Sequence, residues 1–145
     1  MTAATGVSPA TGATPAASRA YQARVISVRD SSELHLVHAV GNTLIEEGRV
    51  TGTLPGNVRM RLNIDVATGT ATSRFTIYTR AGSLSGYARG EAHPGRGGWE
   101  SFSGRTRIEH GTGRYAHASS TGSMYGALYR RTDRLIVQAF GRLRY

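Results

Sequence analysis

Between Asn57 and Val66 every second residue is apolar: Val58, Met60, Leu62, Ile64 and Val66 alternate with Arg59, Arg61, Asn63 and Asp65. Successive side chains of a β-strand point to opposite faces, so this run describes a strand with one buried and one wetted face. The rhythm returns over Thr72 to Arg80, where Phe75 and Ile77 oppose Arg74, Thr76 and Tyr78. Further candidate strands cover Tyr21–Arg29, Glu33–Val40, Leu44–Leu54, Gly82–His93, Trp99–His110, Ser123–Arg130 and Arg134–Tyr145. Turn signals separate them: Arg29-Asp30-Ser31-Ser32, Gly41-Asn42, Pro55-Gly56-Asn57, Thr68-Gly69, Ala81-Gly82, Pro94 to Gly98, and Thr132-Asp133.

Eight or nine amphipathic strands without a covering helix must bury one face against each other, in a sandwich or a closed barrel. Three glycines, Gly86, Gly104 and Gly126, lie inside strand patterns on the parity of Leu84, Phe102 and Leu128. Glycines inside strands mark sharp bends or close approaches. The expected fold is therefore all-β, a closed antiparallel barrel of about eight strands, whose interior holds side chains or one small ligand.

The 145 residues suit a single domain. Residues 1–19 are almost entirely Ala, Thr, Gly, Ser and Pro and read as a flexible tail, which leaves 20–145 for the barrel. The tail has no basic start and no apolar stretch of a secretory signal, so a cytoplasmic location is expected, or a secreted one if a leader has been removed. There is no cysteine, which excludes disulfides, thiolate metal sites and a cysteine nucleophile. No apolar run is long enough for a membrane helix. Arginines near strand centres argue against a membrane barrel, whose outer face must be apolar.

A string in the C-terminal half carries a resemblance. Ser101-Phe102-Ser103-Gly104 precedes Ile108, then Gly111-Thr112-Gly113-Arg114-Tyr115-Ala116, and Met124-Tyr125-Gly126 follows Gly122. With Phe75-Thr76-Ile77 and Gly82-Ser83-Leu84-Ser85-Gly86 upstream, this resembles the allene oxide cyclase-like barrels, which include plant dirigent proteins and bacterial spirotetronate cyclases. The resemblance implies an eight-stranded barrel with an apolar cavity open at one end, and homodimers or trimers. It also implies cofactor-free cyclisation or isomerisation of a reactive apolar intermediate in secondary metabolism. The alternative is a non-catalytic, dirigent-like or protein-interaction barrel.

By period two, His38 shares the face of Leu34, Leu36 and Val40, which makes it a candidate catalytic acid or base on the cavity wall. In the plant cyclases a glutamate stands at about this place, so the residue departs from their pattern. Glu100 and His110 take the inward parity of Phe102, Thr106 and Ile108 and are further catalytic candidates. They stand ~33 Å apart along one strand, too far to act as a pair. The expected substrate-binding wall is Met60, Leu62, Phe75, Ile77, Phe102, Ile108, Met124 and Leu128, around an apolar small molecule. A cavity of about 300 Å³ or more would mark such a site, and an interior packed solid with side chains would count against an enzyme. Tyr115, in the glycine turn, is expected to plug the closed end or to pack between strands.

No cofactor and no metal are expected. His35 and His38 are three apart, on opposite faces of a strand, with no third ligand near. All 18 basic residues are arginine, and the formal charge is +9. A charge of that size could steer a polyanion, and Tyr78, Tyr87, Tyr125 and Tyr129 share the arginine-rich parity. Asp65, Glu91 and Glu109 interleave with the arginines, so ion pairs on a solvated face are the expected use of the charge. Nucleic acid is accordingly not expected as a partner.

Overall fold

The computed structural model describes residues 21–145; the expected tail lies outside the described residues. Eight antiparallel strands, each paired with the next in sequence and the last with the first, close into a barrel. They are β1 (Val25–Val40), β2 (Thr43–Gly52), β3 (Gly56–Asp65), β4 (Thr70–Thr79), β5 (Gly82–Pro94), β6 (Trp99–Gly111), β7 (Ser119–Tyr129) and β8 (Arg134–Arg144). Closure leaves no sheet edge, so every ladder hydrogen bond is made within the chain.

One expected turn does not form. Arg29-Asp30-Ser31-Ser32 runs straight through β1, which replaces two short strands with a single one of 16 residues. Its first part pairs with β8 from Val25 to His35, and its later part pairs with β2 from Asp30 to Val40. The polar residues that suggested a turn are satisfied in place. Asp30 is buried and its Oδ1 accepts the Leu54 N–H at 3.0 Å, while the Ser31 hydroxyl meets the Gln138 amide.

The inward parity is as the alternation predicts. Leu34, Val50, Val58, Ile64, Ala88, Met124, Leu128, Leu135 and Val137 form the main core, with Met60, Leu62, Phe75, Ile77 and Phe102 packed on it. The interior glycines make room for rings. Phe75 stands directly across the ladder from Gly86, and Phe102 from Gly126. A Cβ at Gly126 would lie 2.5 Å from Phe102 Cζ, and one at Gly86 would lie 2.9 Å from Phe75 Cζ. A pair of this kind fills the lumen of a narrow barrel without splaying its strands.

The two ends differ. At one end Tyr115, on a short 3-10 turn (Gly113–Tyr115), is buried with Leu54, Leu84, Ala118, Leu143 and Tyr145. Its ring meets Tyr145 edge-on, with 5.1 Å between centroids. This is the expected plug. The other end carries the β1–β2, β3–β4, β5–β6 and β7–β8 turns. No helix among the described residues is long and apolar enough to cross a membrane.

Candidate functional site

A void of about 40 Å³ lies in the lumen toward the end opposite Tyr115. Its wall is mostly apolar: Met60, Leu62, Ile64, Ala88, Phe102, Met124, Leu128 and Leu135 contribute, with Thr72, Ser73, Glu100 and Ser101 as polar members. That volume holds a few waters at most, well below the 300 Å³ expected for a preformed ligand site. Of the expected substrate wall, Met60, Leu62, Phe102, Met124 and Leu128 line this void. Phe75 and Ile77 pack against the core around it, and Ile108 belongs to the plugged end.

The three expected catalytic residues separate. Glu100 faces inward onto the void, its side chain 15% exposed, and its Oε2 accepts a 2.6 Å hydrogen bond from Arg130 Nε. The Glu100 carboxylate raises the pKa of Arg130 in turn. The pair ties Glu100 on β6 to Arg130 beside the void.

His38 and His110 face outward, and the same device turns both. Leu36 pairs with Glu46 but His38 pairs with Ile45, so Val37 is an extra residue in β1. Gly86 pairs with Ile108 but Ser85 pairs with His110, so Glu109 is extra in β6. Each bulge shifts the chain beyond it by one residue and reverses its facing. Both histidines are exposed, and the expectation that they line the cavity is corrected.

The group that does enter the interior is Glu46. It follows the inward parity of Leu44, Gly48 and Val50, between Leu36 on β1 and Met60 on β3. Its relative exposure is 0%, and neither Oε1 nor Oε2 has a hydrogen-bond partner among the described residues. Burial pushes its pKa from 4.5 up to about 7, and the nearby negative charge of Asp133 adds to the rise. Below about pH 7 it is mostly a carboxylic acid, a hydrogen-bond donor without an acceptor. The carboxyl is not itself on the wall of the void, but its cross-strand neighbour Met60 is.

Asp30 is the instructive contrast. Burial raises its pKa too, but the backbone N–H groups of Leu54 and Thr53 counter that rise, and they engage the carboxylate in closing the β2–β3 turn. Buried carboxyls without partners are rare because they carry the full desolvation cost. Glu46 is thus a group whose position the fold alone does not explain. In sequence it hides beside Glu47, where two adjacent acids blur the alternation; only the parity of Leu44, Gly48 and Val50 points to it.

No group of three or more His, Asp or Glu among the described residues is placed to hold a metal ion. Fold and lumen together define a class: a closed eight-stranded barrel, plugged at one end by a tyrosine, with a buried carboxyl, Glu46, that has no hydrogen-bond partner among the described residues. No known protein family, curated protein or solved structure matches the chain.

Proposed function

We propose that the barrel takes a small, mostly apolar molecule bearing an acceptor oxygen and promotes its isomerisation or cyclisation without a cofactor, with Glu46 as the proton donor and acceptor. The observation that carries this reading is the unpartnered Glu46 acid inside an apolar lumen. A neutral carboxylic acid in such surroundings gives its proton to a carbonyl or ether oxygen. The carboxylate that results, more basic than an exposed one, takes a proton from the carbon beside the carbonyl to leave a dienol. The reformed acid then protonates the far end of the diene, and the oxygen returns its proton to the carboxylate. The proton lost from the acid is regained, so the product is an isomer and no oxidant or reductant takes part. The apolar wall keeps water from the intermediate and fixes its shape. This chemistry agrees with the activities implied by the resemblance to allene oxide cyclase-like barrels, although it assigns the acid to a different position.

The small void favours a second reading, a barrel that only binds. A ligand must move Met60 or Met124, whose unbranched side chains rearrange at low cost. The two readings part on one assay. The β,γ-unsaturated isomer of cyclohexenone is supplied, and its conversion to the conjugated ketone is followed by ultraviolet absorbance. Catalysis predicts conversion by the native protein and loss of at least ~10²-fold in Glu46→Gln. Binding without conversion, seen as chemical-shift changes at Met60 and Met124 only, would leave the non-catalytic barrel.

A further inference from the structure

The outer surface carries a feature independent of the lumen. Across β3 to β8, Arg61, Arg74, Tyr87, Arg107, Thr121 and Arg142 stand directly opposite one another in one continuous cross-strand row. At ~4.8 Å between strands this row spans roughly 24 Å of the barrel's circumference. A second row two residues away brings Arg89 opposite Arg105, and continues through Ser123 and Phe140 to Arg29 on β1.

The acids that interleave in sequence do not neutralise this band. Glu109 reaches Arg74 only at 3.9 Å. Glu91 lies 4.0 Å from His93, and Asp65 accepts the backbone N–H groups of Ala67 and Thr68 in its own turn. Among the described residues, Arg29, Arg61, Arg89, Arg105, Arg107 and Arg142 have no carboxylate within 4.0 Å, and residues 1–20 contain no Asp or Glu. Like charges directly opposite on a sheet destabilise it. Arg61 with Arg74, and Arg89 with Arg105, therefore impose a cost that a bound anion would turn into a gain.

Aromatic rings sit within the same band. Tyr87 lies in the first row, with the Arg74 guanidinium 5.9 Å from its ring centre. Phe140 lies in the second and is exposed, beside the equally exposed Tyr125. The band also follows the barrel's curve around most of its strands. A flat bilayer would meet only part of it, and a duplex is far too stiff to bend around it. A flexible single strand can follow the curve and offers both phosphates for the arginines and base faces for the rings.

We propose that the arginine band on β3 to β8 binds single-stranded nucleic acid, by phosphate contacts to Arg61, Arg89, Arg105, Arg107 and Arg142 and base stacking on Tyr87 and Phe140.

The test is fluorescence anisotropy with labelled oligo(dT) of about ten nucleotides, over a range of salt concentrations. Each phosphate contact contributes about 0.7 to the slope of log affinity against log salt. Arg89→Gln with Arg105→Gln should lower the slope by about 1.4. The same charge removed from turns outside the band, by Arg80→Gln with Arg96→Gln, should leave the slope nearly unchanged. Tyr87→Ala should weaken binding roughly tenfold at constant slope, while Tyr87→Phe should bind as the native protein does. The protein without nucleic acid supplies a second measurement. Removing the opposed pair Arg89 and Arg105 should raise its melting temperature, which would show that the variant folds. Equal losses in the two double variants would overturn the proposal, since binding would then follow net charge. So would tighter binding of a duplex, of heparin or of phosphatidylserine vesicles than of oligo(dT).

Discussion

Glu46 stands directly opposite Leu36 across the β1–β2 ladder, one step before the bulge that places His38 opposite Ile45. The bulge keeps His38 out of the barrel, while Glu46 enters by the regular alternation of β2. Glu46 lies inside without a partner, and His38 lies in solvent.

Burial of Glu46 ties stability to pH. Its folded pKa of about 7 lies above the unfolded 4.5, so the folded state binds more protons between those values. Stability is then greatest below pH 4.5 as far as this group is concerned, falls as pH rises to 7, and is flat above. The loss amounts to about 3 kcal/mol. In urea melts between pH 4.5 and 8, Glu46→Gln should remove that part of the pH dependence. Glu46→Leu, which deletes the unpartnered polar group, should be more stable than the native protein above pH 7 by about 1–3 kcal/mol. A native profile unchanged by Glu46→Gln would assign the pH dependence elsewhere.

Met60 separates function from packing, because it lies opposite Glu46 and lines the void. Met60→Ala should cost about 2 kcal/mol in stability, at the lower end for a partly exposed core methionine. It should also enlarge the void beside the acid. Conversion of the unconjugated cyclohexenone should therefore rise while the melting temperature falls. A fall in both would mean that Met60 only supports the wall.

The plug has its own signature. Tyr115→Phe keeps the ring contact with Tyr145 and should change stability by less than about 1 kcal/mol. Tyr115→Ala should cost about 3–5 kcal/mol, as for other large aromatic truncations. Equal and small effects in thermal melts would show that the end is closed by something other than this ring.

The Phe102–Gly126 pair predicts a compensated double variant. Gly126→Ala alone drives a methyl into the Ile136 backbone carbonyl and the Phe102 ring and should cost about 3 kcal/mol or more. Adding Phe102→Leu removes the ring contact but leaves the Ile136 carbonyl in place. The double variant should therefore recover only the ring's share of the cost and still be more stable than the two single costs summed. Strict additivity in a double-mutant cycle would contradict the pairing.

The period-two pattern made the barrel legible, and Gly86, Gly104 and Gly126 already marked bends or close approaches, though not the rings that Gly86 and Gly126 face. Facing could be read only as far as each strand stayed regular. Val37 and Glu109 each add one residue to a strand, and nothing in their side chains announces it, so His38 and His110 were assigned the wrong side. The Asp30 segment looked like a turn because polar residues that close a turn and polar residues that satisfy a neighbouring one look alike in sequence. Glu46 escaped notice for the opposite reason: a glutamate beside a glutamate looks solvated, and only the closed barrel shows it buried.

The central claim, that Glu46 is a neutral acid available to a ligand in the lumen, is tested most directly by its carboxyl carbon-13 shift followed through a pH titration, free and with saturating cyclohexenone. The account predicts a single titration near pH 7 in the free protein. It also predicts a move to higher pH with the ketone, because a hydrogen bond given to the carbonyl oxygen favours the protonated form. Titration near the ordinary glutamate value, or a curve that the ketone leaves unmoved, would contradict it.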